Sequence, residues 1–278
     1  MKKKLLTVLV AAALAAATLV SCGKQNDTIT VVSREDGSGT RGAFTELMGI
    51  EKDGTDRTYA KAEISNSTSV VISTVAGNKN AIGYISLGSL NDSVKAVKID
   101  GVDATVDNVK NGSYKISRPF IIATKDGISD LAADFIKFIL SDDGQAIVSE
   151  KYITVGGSGA YTASGLSGKV TLAGSTSVSP LMDELAAAYK ELNPDVVIEI
   201  QQSGSGAGIQ SALEGVCDIG MSSRELKDSE KEAGLTPTVM ALDGIAVIVN
   251  KDNGIGTLSS EQIQSIYIGE STSWADVK

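Results

Sequence analysis

Hydrophobic and polar positions along this chain follow two periods in turn, one typical of strands and one typical of helices. Apolar or alternating runs bounded by Gly, Asn and Asp predict strands at 28–33, 81–87, 94–99, 169–172, 196–200 and 239–250. Helices are predicted over 40–48, over 131–140 and from Ser179 to Leu192, the last with Pro180 in its first turn. Strands that alternate with helices predict an α/β fold with mainly parallel sheets.

Length and composition narrow the functional classes. A chain of 278 residues with 42% hydrophobic residues is long enough for about two domains. Its net charge of −9 argues against a nucleic-acid partner. The chain has no histidine, which excludes histidine-dependent catalysis and zinc sites, and its two cysteines are too few for a four-cysteine metal site. We therefore expect no metal and no cofactor.

The first residues have the pattern of an export signal. Three lysines precede an apolar run over 5–20, which is short for a membrane-spanning helix, and Ser21 and Cys22 follow. This ending resembles a bacterial lipobox, so we expect a lipoprotein signal peptide over 1–21, lipid attachment at Cys22 and a lipid-anchored spacer over 22–27. The mature protein, with a net charge of −12 after loss of the three lysines, would lie on the extracytoplasmic face of the cell membrane. The alternative is an ordinary secreted protein with a chance cysteine.

Three Gly- and Ser-rich loops each follow a predicted strand and precede a helical stretch. They are Arg34–Thr40, Ala173–Ser177 and Ser203–Gly208. Unpaired N–H groups at helix N-termini, together with hydroxyl donors, suit oxyanions, and Arg34 adds a guanidinium that matches a tetrahedral anion. One such loop alone is usually only a helix cap, but three loops with an arginine predict an anion site.

Motifs for nucleotide binding and for covalent catalysis are missing. Ile209 stands where a dinucleotide fingerprint has its third glycine, and the chain contains no P-loop and no Gly-x-Ser-x-Gly. The only Ser-x-x-Lys is Ser21–Lys24, at the cleavage site. No residue is placed to activate a serine, so we expect a binding protein and not an enzyme.

Taken together, these motifs resemble the phosphate-binding lipoproteins that serve phosphate ABC transporters. The similar segments are Arg34–Thr40, Ala81–Tyr84, Ala173–Thr176, Ser203–Gly206, Asp218–Arg224 and Ile266–Gly269 with Trp274. The resemblance implies a two-lobed periplasmic-binding-protein fold of type II, the Venus-flytrap fold, with the anion between the lobes. It also implies that the protein is a monomer that binds inorganic phosphate and delivers it to membrane ABC permease subunits.

The segments stand in an unusual order. In the family, the part that resembles 169–278 comes first, so this chain reads as a circular permutation joined by the Gly/Ser linker 156–168, in which eight of thirteen residues are Gly or Ser. A rearranged or mis-assembled gene is the alternative. Mapped onto this order, one lobe is 25–116 plus 245–278 and the other is 117–244, with crossings near 117–124 and 242–250.

The resemblance also implies the site residues. The expected phosphate ligands are Thr176, Ser177, Ser205, Ser223, Arg34, Ser38, Gly39 and Thr40. Supporting roles fall to Ser175, to Asp36 as the carboxylate that orients Arg34, and to Arg224, which either adds a second charge to the site or pairs with Asp218 or Glu225.

Ser223 departs from the best-known family pattern, which has an aspartate there to accept the proton of hydrogen phosphate. A serine both accepts and donates hydrogen bonds, so this basis for rejecting sulphate is lost. A receptor for another oxyanion such as sulphate therefore stays open beside the phosphate receptor. A non-transporting anion sensor and a secreted phosphate-ester hydrolase are further alternatives, although the hydrolase would lack catalytic groups.

Overall fold

The computed structural model of the protein describes residues 27–277, and its strands are short except in the centre of the molecule. The strands are Thr30–Arg34 (β1), Glu51–Lys52 (β2), Thr55–Asp56 (β3), Glu63–Ser65 (β4), Ala81–Ser86 (β5), Val94–Ala96 (β6), Lys98–Ile99 (β7), Ser117–Lys125 (β8), Ile153–Thr154 (β9), Gly168–Gly174 (β10), Val196–Gln202 (β11), Ile219–Ser222 (β12), Leu235–Asn250 (β13) and Thr257–Leu258 (β14).

The helices lie between these strands, as the alternation in the sequence predicts. They are Gly39–Leu47 (α1), Thr68–Gly77 (α2), Val106–Lys110 (α3), Asp130–Leu140 (α4), Asp142–Ser149 (α5), Ser179–Leu192 (α6), Ser205–Glu214 (α7), Asp228–Glu232 (α8) and Ser260–Tyr267 (α9). Single 3₁₀ turns occupy Leu87–Ser89 and Trp274–Val277. Ser38 and Ser67 begin α1 and α2 as N-caps, since their hydroxyls accept hydrogen bonds from backbone N–H groups of the first turn.

One large sheet runs through the molecule in the order β11-β10-β12-β8-β13-β5-β1-β4. The strand pairs near the two edges of the sheet are parallel. They are β11 with β10 and β10 with β12 on one side of the molecule, and β5 with β1 and β1 with β4 on the other side of the molecule. The central strands β8 and β13 pair antiparallel with each other and with their outer neighbours. The fold is therefore α/β with a mostly parallel sheet, as predicted.

The long strand β13 joins the two sides of this sheet. Its residues 235–244 pair with β8, and residues 245–249 pair with β5. A bulge between Val239 and Ala241 interrupts the register with β8. All eight residues from Asp243 to Asn250 are buried, which matches the continuous apolar run seen in the sequence.

The described hydrophobic core falls into clusters, and each cluster takes its buried residues from only one of these two sides of the molecule. Two clusters take their buried residues from 29–116 and 245–277, and two take theirs from 120–241. The chain passes from one set to the other along β8 and β13. The lobe boundaries expected from the sequence stay a prediction, which this partition of the core supports.

All six expected strands differ from the structure in their limits, four by one or two residues at an end and two by more. The strand expected at 239–250 begins earlier, at Leu235, because residues 236–239 pair with β8 while most of their side chains face solvent. The strand expected at 94–99 is divided, since Val97 donates its N–H to the Val247 carbonyl while Lys98 and Ile99 turn to pair with β14.

The Gly/Ser linker 156–168 contains no helix and becomes strand only at Gly168, where β10 begins. It is nevertheless attached to the core. The Tyr161 hydroxyl donates to Asp134 Oδ2 at 2.5 Å and its backbone N–H donates to Asp143 Oδ2 at 2.7 Å. The Tyr161 ring meets Phe138 edge to face, with centroids 5.2 Å apart. The composition predicts a flexible join, whereas Tyr161 and backbone hydrogen bonds, such as that of the Ser158 N–H to the Leu140 carbonyl, hold the segment against α4 and α5.

Candidate functional site

Loops that follow five strands meet at one place in the sheet. The loops after β10, β11 and β12 lie at the carboxyl ends of parallel or adjacent strands, and those after β1 and β4 approach them from the other side of the molecule. In open α/β sheets, this edge is where ligands bind. Four helices, α1, α2, α6 and α7, begin in these loops, so four helix N-termini contribute partial positive charge there.

Arg34, at the end of β1, is the charged centre of this site, and its side chain is only 3% exposed. Its Nη2 donates to Thr176 Oγ1 at 3.1 Å, and its Nε donates to the Ser65 carbonyl at 3.2 Å. Glu35 receives a bidentate pair of hydrogen bonds from the guanidinium, both at 2.8 Å. The guanidinium is thus held in a fixed orientation, with its charge partly compensated.

A cluster of buried hydroxyls surrounds Arg34. Thr40 Oγ1 and Ser177 Oγ lie 2.9 Å apart, and Thr68 Oγ1 lies 3.3 Å from Thr176 Oγ1 and 3.2 Å from Ser177 Oγ. Each of these four side chains is at most 5% exposed. Since Thr40 and Thr68 come from one side of the sheet and Thr176 and Ser177 from the other, the cluster joins the two sides directly.

Ser223 forms the floor of the same cluster and is fully buried. Ser175 Oγ donates to Ser223 Oγ at 2.9 Å, and Ser205 Oγ lies 3.4 Å from Ser223 Oγ and accepts the Ser223 N–H at 3.2 Å. Gly39 packs against both hydroxyls, since a Cβ at this position would lie 2.6 Å from Ser205 Oγ and 2.7 Å from Ser223 Oγ. Only glycine lets the start of α1 approach this closely.

The structure therefore brings together most of the residues expected from the sequence. Hydrogen bonds or direct approach join Arg34, Gly39, Thr40, Ser175, Thr176, Ser177, Ser205 and Ser223. Ser38 lies beside them and is buried, although its hydroxyl accepts the Arg41 N–H at 3.4 Å as the cap of α1. Their roles as ligands stay a prediction at this point.

The predicted role of Asp36 in orienting Arg34 is wrong. The Ser38 N–H donates to the Glu35 carbonyl, which closes a turn with Asp36 and Gly37 at its two central positions. The turn directs the Asp36 side chain outward, where it is 96% exposed and pairs with Arg41 at 2.6 Å. Glu35, the adjacent residue, holds Arg34 instead.

Arg224 does not add a second charge to the cluster. Its two terminal nitrogens form hydrogen bonds of 2.9 and 2.7 Å with the carboxylate of Glu230, in α8. Neither Asp218 nor the Glu225 carboxylate takes the expected place as its partner. Asp218 accepts from Thr171, and Glu225 offers only its backbone carbonyl to Arg224.

Two features of the site are missing from the sequence prediction. Thr68 begins α2 within Asn66-Ser67-Thr68-Ser69, a polar stretch of the same kind as the other loops but without glycine. Arg118 on β8 donates from Nη1 to the Ser223 carbonyl at 3.2 Å and from Nη2 to Asp243 Oδ2 at 3.2 Å. Arg118 and Asp243 each interrupt a largely apolar strand, and that interruption was the available signal.

Buried groups beneath the cluster have shifted pKa values. Burial raises the pKa of Asp243 to about 6, against the lowering effects of Arg118 and of the Ser86 hydroxyl. Burial also raises the pKa of Tyr84, whose hydroxyl lies 2.8 Å from Ser33 Oγ and accepts the Arg34 N–H at 3.2 Å. Tyr84 thus stays neutral and fixes the backbone that carries Arg34.

The chemistry of this donor set suits an oxyanion better than a metal ion. Hydroxyls, backbone N–H groups and a guanidinium donate hydrogen bonds, whereas cations need oxygen, nitrogen or sulfur acceptors. Within residues 27–277, no group of three or more carboxylates and thiols is placed to hold a metal ion. The one carboxylate in contact with Arg34, that of Glu35, is occupied by the guanidinium.

Comparisons with known proteins agree with this architecture. A family model described as a PBP superfamily domain matches residues 10–143 and 159–278. The chain is 52% identical over 264 residues to the phosphate-binding protein PstS 2 of Streptococcus agalactiae serotype V, which covers 92% of this chain and 90% of that protein. It is 49% identical over 292 residues to the protein of the same name from Streptococcus pneumoniae serotype 4, and this match covers both chains completely.

A solved structure extends the comparison to the fold. The crystal structure of a phosphate-binding protein of a phosphate ABC transporter from Streptococcus pneumoniae matches with a TM-score of 0.71 and 51% identity. The match covers 90% of this chain and all of that one. The family resemblance and the fold class expected from the sequence are confirmed, whereas the circular permutation stays a prediction.

Proposed function

We propose a function for this chain, which belongs to the PBP superfamily. It is a receptor that binds inorganic phosphate between its two sides and delivers it to a membrane ABC permease. The observation that supports this proposal is the contact of the buried Arg34 guanidinium with Thr176 inside a cluster of buried hydroxyls. The relatives named above, binding proteins and not enzymes by name, support receptor function over catalysis.

The phosphate ligands that we propose come from both sides of the sheet. Arg34 and Thr40, with Ser38 and the backbone of Gly39, act from the side of β1, and Thr176, Ser177, Ser205 and Ser223 act from the side of β10. To these we add Thr68, because its hydroxyl lies within 3.3 Å of both Thr176 Oγ1 and Ser177 Oγ. Since these donors hydrogen-bond one another, phosphate would enter by replacing those contacts.

Such replacement requires the two sides to separate, and the core supports this. We propose two lobes, 25–116 plus 245–278 and 117–244, that move about the crossing strands β8 and β13. The hydrophobic clusters divide at the same places, so a rotation there would leave each set of clusters intact. Phosphate would then favour the closed arrangement, in which both sets of donors reach it.

We also propose that the chain is circularly permuted within its family. The two ends of the described chain lie together, with Thr28 bridged to Ser273 and the Trp274 N–H donating to the Asp27 carbonyl at 2.8 Å. Adjacent ends are what a permutation requires. The end-to-end match with the pneumococcal relative supports an inherited order over a mis-assembled gene.

The mature protein, in this proposal, is anchored by lipid at Cys22 on the extracytoplasmic face of the membrane and acts as a monomer. Cys22 and the signal sequence 1–21 lie outside the described residues. Among residues 27–277, no helix has the length and apolar character needed to cross a bilayer. The phosphate ABC transporter named for the solved relative supports a membrane partner.

A general oxyanion receptor is the second candidate, and Ser223 favours it. Ser223 is a hydroxyl among hydroxyls, and the described residues offer no free carboxylate to accept a proton from hydrogen phosphate at this position. Sulphate, which carries no proton at neutral pH, would then bind by the same donors.

Calorimetric titration of the purified protein with phosphate, and separately with sulphate, tests both candidates. We expect one-to-one binding of phosphate with an affinity at least tenfold above that for sulphate. Equal affinities would favour the general oxyanion receptor, and no heat with either anion from a folded protein would contradict both proposals.

A further inference from the structure

A buried ion pair lies directly behind the hydroxyl cluster, on the two crossing strands. Arg118 on β8 and Asp243 on β13 are register partners across the central ladder. Their side chains are 2% and 1% exposed, and Arg118 Nη2 lies 3.2 Å from Asp243 Oδ2. Burying two charges this deeply carries a large desolvation penalty.

The pair has a defined direction relative to the site. Arg118 is the nearer partner, since its Nη1 donates to the carbonyl of Ser223, the residue at the floor of the cluster. Asp243 is held from the other side, where its Oδ1 accepts from Ser86 Oγ at 2.9 Å and from the Gly88 N–H at 3.5 Å. The positive end of the pair therefore lies toward the hydroxyl cluster and the negative end away from it.

Arg118 lies close enough to Arg34 for the charges of the two guanidinium groups to interact. Burial lowers the pKa of Arg118, the Asp243 carboxylate opposes that lowering, and the positive charge of Arg34 adds to it. Arg118 also keeps one donor, Nε, without a hydrogen-bond partner among the described residues. The guanidinium of Arg34 is bound twice by Glu35, which leaves the site with little net positive charge of its own.

We propose that Arg118 is a positioning residue of the phosphate site, which fixes Ser223 through its carbonyl and, with Asp243, turns a positive end toward the bound anion. This inference rests on the phosphate-receptor function proposed above. It assigns the buried pair an electrostatic role in anion affinity in addition to its place in the core.

Substitutions of Arg118 and of Asp243 should change phosphate affinity in opposite directions, which a purely structural role of the pair would not do. Arg118→Gln leaves the negative charge of Asp243 behind the site, so we expect phosphate affinity to fall by at least about tenfold. Asp243→Asn leaves the positive charge of Arg118 there, so affinity should rise above that of the wild type. The double variant Arg118→Gln/Asp243→Asn should bind more weakly than the wild type but no more weakly than Arg118→Gln.

Calorimetric titration with inorganic phosphate at pH 8, where phosphate is mainly a dianion, gives these affinities. The matched control is the pair Arg224–Glu230, another arginine–carboxylate pair in the proposed lobe 117–244, for which Arg224→Gln/Glu230→Gln should leave the affinity unchanged. If both single variants at positions 118 and 243 weaken binding equally, the pair is only structural and the inference is overturned.

Folding does not decide this test. A single substitution that leaves one buried charge unpaired destabilises a protein strongly, whereas removal of both charges is often nearly neutral. If a single variant fails to fold, the double variant and Arg118→Lys remain. Arg118→Lys keeps the charge and should bind within about threefold of the wild type. A double variant with wild-type affinity would refute the inference, and a wild type without phosphate binding would refute the proposed function as well.

Discussion

Ser223 shows how one side chain bears on the selectivity of the whole site. Its hydroxyl receives a hydrogen bond from Ser175 and lies beside Ser205, all fully or nearly fully buried. A hydroxyl can donate to either phosphate or sulphate, so it does not penalise an anion that lacks a proton. An ionised carboxylate at this position would accept hydrogen bonds only.

We therefore expect Ser223→Asp to shift preference toward phosphate. The carboxylate can accept the proton of hydrogen phosphate but is left unpaired and repelled by sulphate, so the ratio of sulphate to phosphate Kd should rise at least about tenfold. Titration of each anion at fixed pH and salt gives the ratio. Ser223→Asn is the control, since an amide of the same size also donates and should leave the ratio near its original value. No change in Ser223→Asp would remove this position from the basis of selectivity.

At the residue scale, the sequence predicts which side chains lie in the oxyanion site better than it predicts the hydrogen-bond partner of each side chain. Gly/Ser loops with an arginine indicate an oxyanion site, and Arg34, Thr176, Ser177 and Ser205 meet there. The sequence does not show that a turn directs Asp36 to solvent and gives Arg34 to Glu35, because that depends on a single backbone hydrogen bond. Thr68 was missed since its loop has no glycine to mark it.

At the element scale, the linker 156–168 behaves differently from its composition. Eight Gly and Ser residues in thirteen predict a segment without structure of its own, and the segment indeed forms no helix. Tyr161 contributes to its attachment, since its hydroxyl and ring contact Asp134 and Phe138. Backbone hydrogen bonds at Ser158 and Gly159 add to it. Composition averages over a segment and so conceals the individual contacts that fix it.

We expect Tyr161→Phe to destabilise the protein without changing phosphate binding. The substitution keeps the ring but removes the hydrogen bond to the Asp134 carboxylate, which should lower the free energy of unfolding by about 1–2 kcal/mol. Urea unfolding followed by circular dichroism measures this change. Thr162→Ala, at the exposed neighbouring position, should be neutral, and an equal loss in both variants would show that Tyr161 does not hold the linker.

The limits of the three predicted helices agree with the structure more closely than the limits of the predicted strands. The helix expected from Ser179 to Leu192 has those limits, because Pro180 marks its first turn and apolar spacing marks its face. The start of β13 was missed because residues 236–239 pair through their backbone while most of their side chains face solvent. Hydropathy reports where side chains are buried, not where backbones pair.

At the scale of the whole molecule, two sets of core clusters meet along β8 and β13, and the anion site lies where their loops touch. The sequence predicts the α/β class and, through the family resemblance, the two-lobed fold. The sequence alone does not show the adjacency of the described chain ends, through Thr28 and Ser273, which supports the proposed permutation. Neither does it place the ion pair Arg118–Asp243, whose members are far apart in the sequence and close only across a sheet.

Arg34 is the charged centre of the proposed phosphate site. The most direct test is calorimetric titration of the wild type, Arg34→Ala and Arg57→Ala with phosphate in parallel. Arg57 is an exposed arginine that donates to the backbone carbonyls of Gly49 and Ile50, away from the hydroxyl cluster. We expect tight one-to-one binding by the wild type and by Arg57→Ala, and a loss of at least about 100-fold in Arg34→Ala, which leaves Glu35 unpaired beside the anion. Wild-type affinity in a folded Arg34→Ala variant would show that Arg34 does not bind the phosphate.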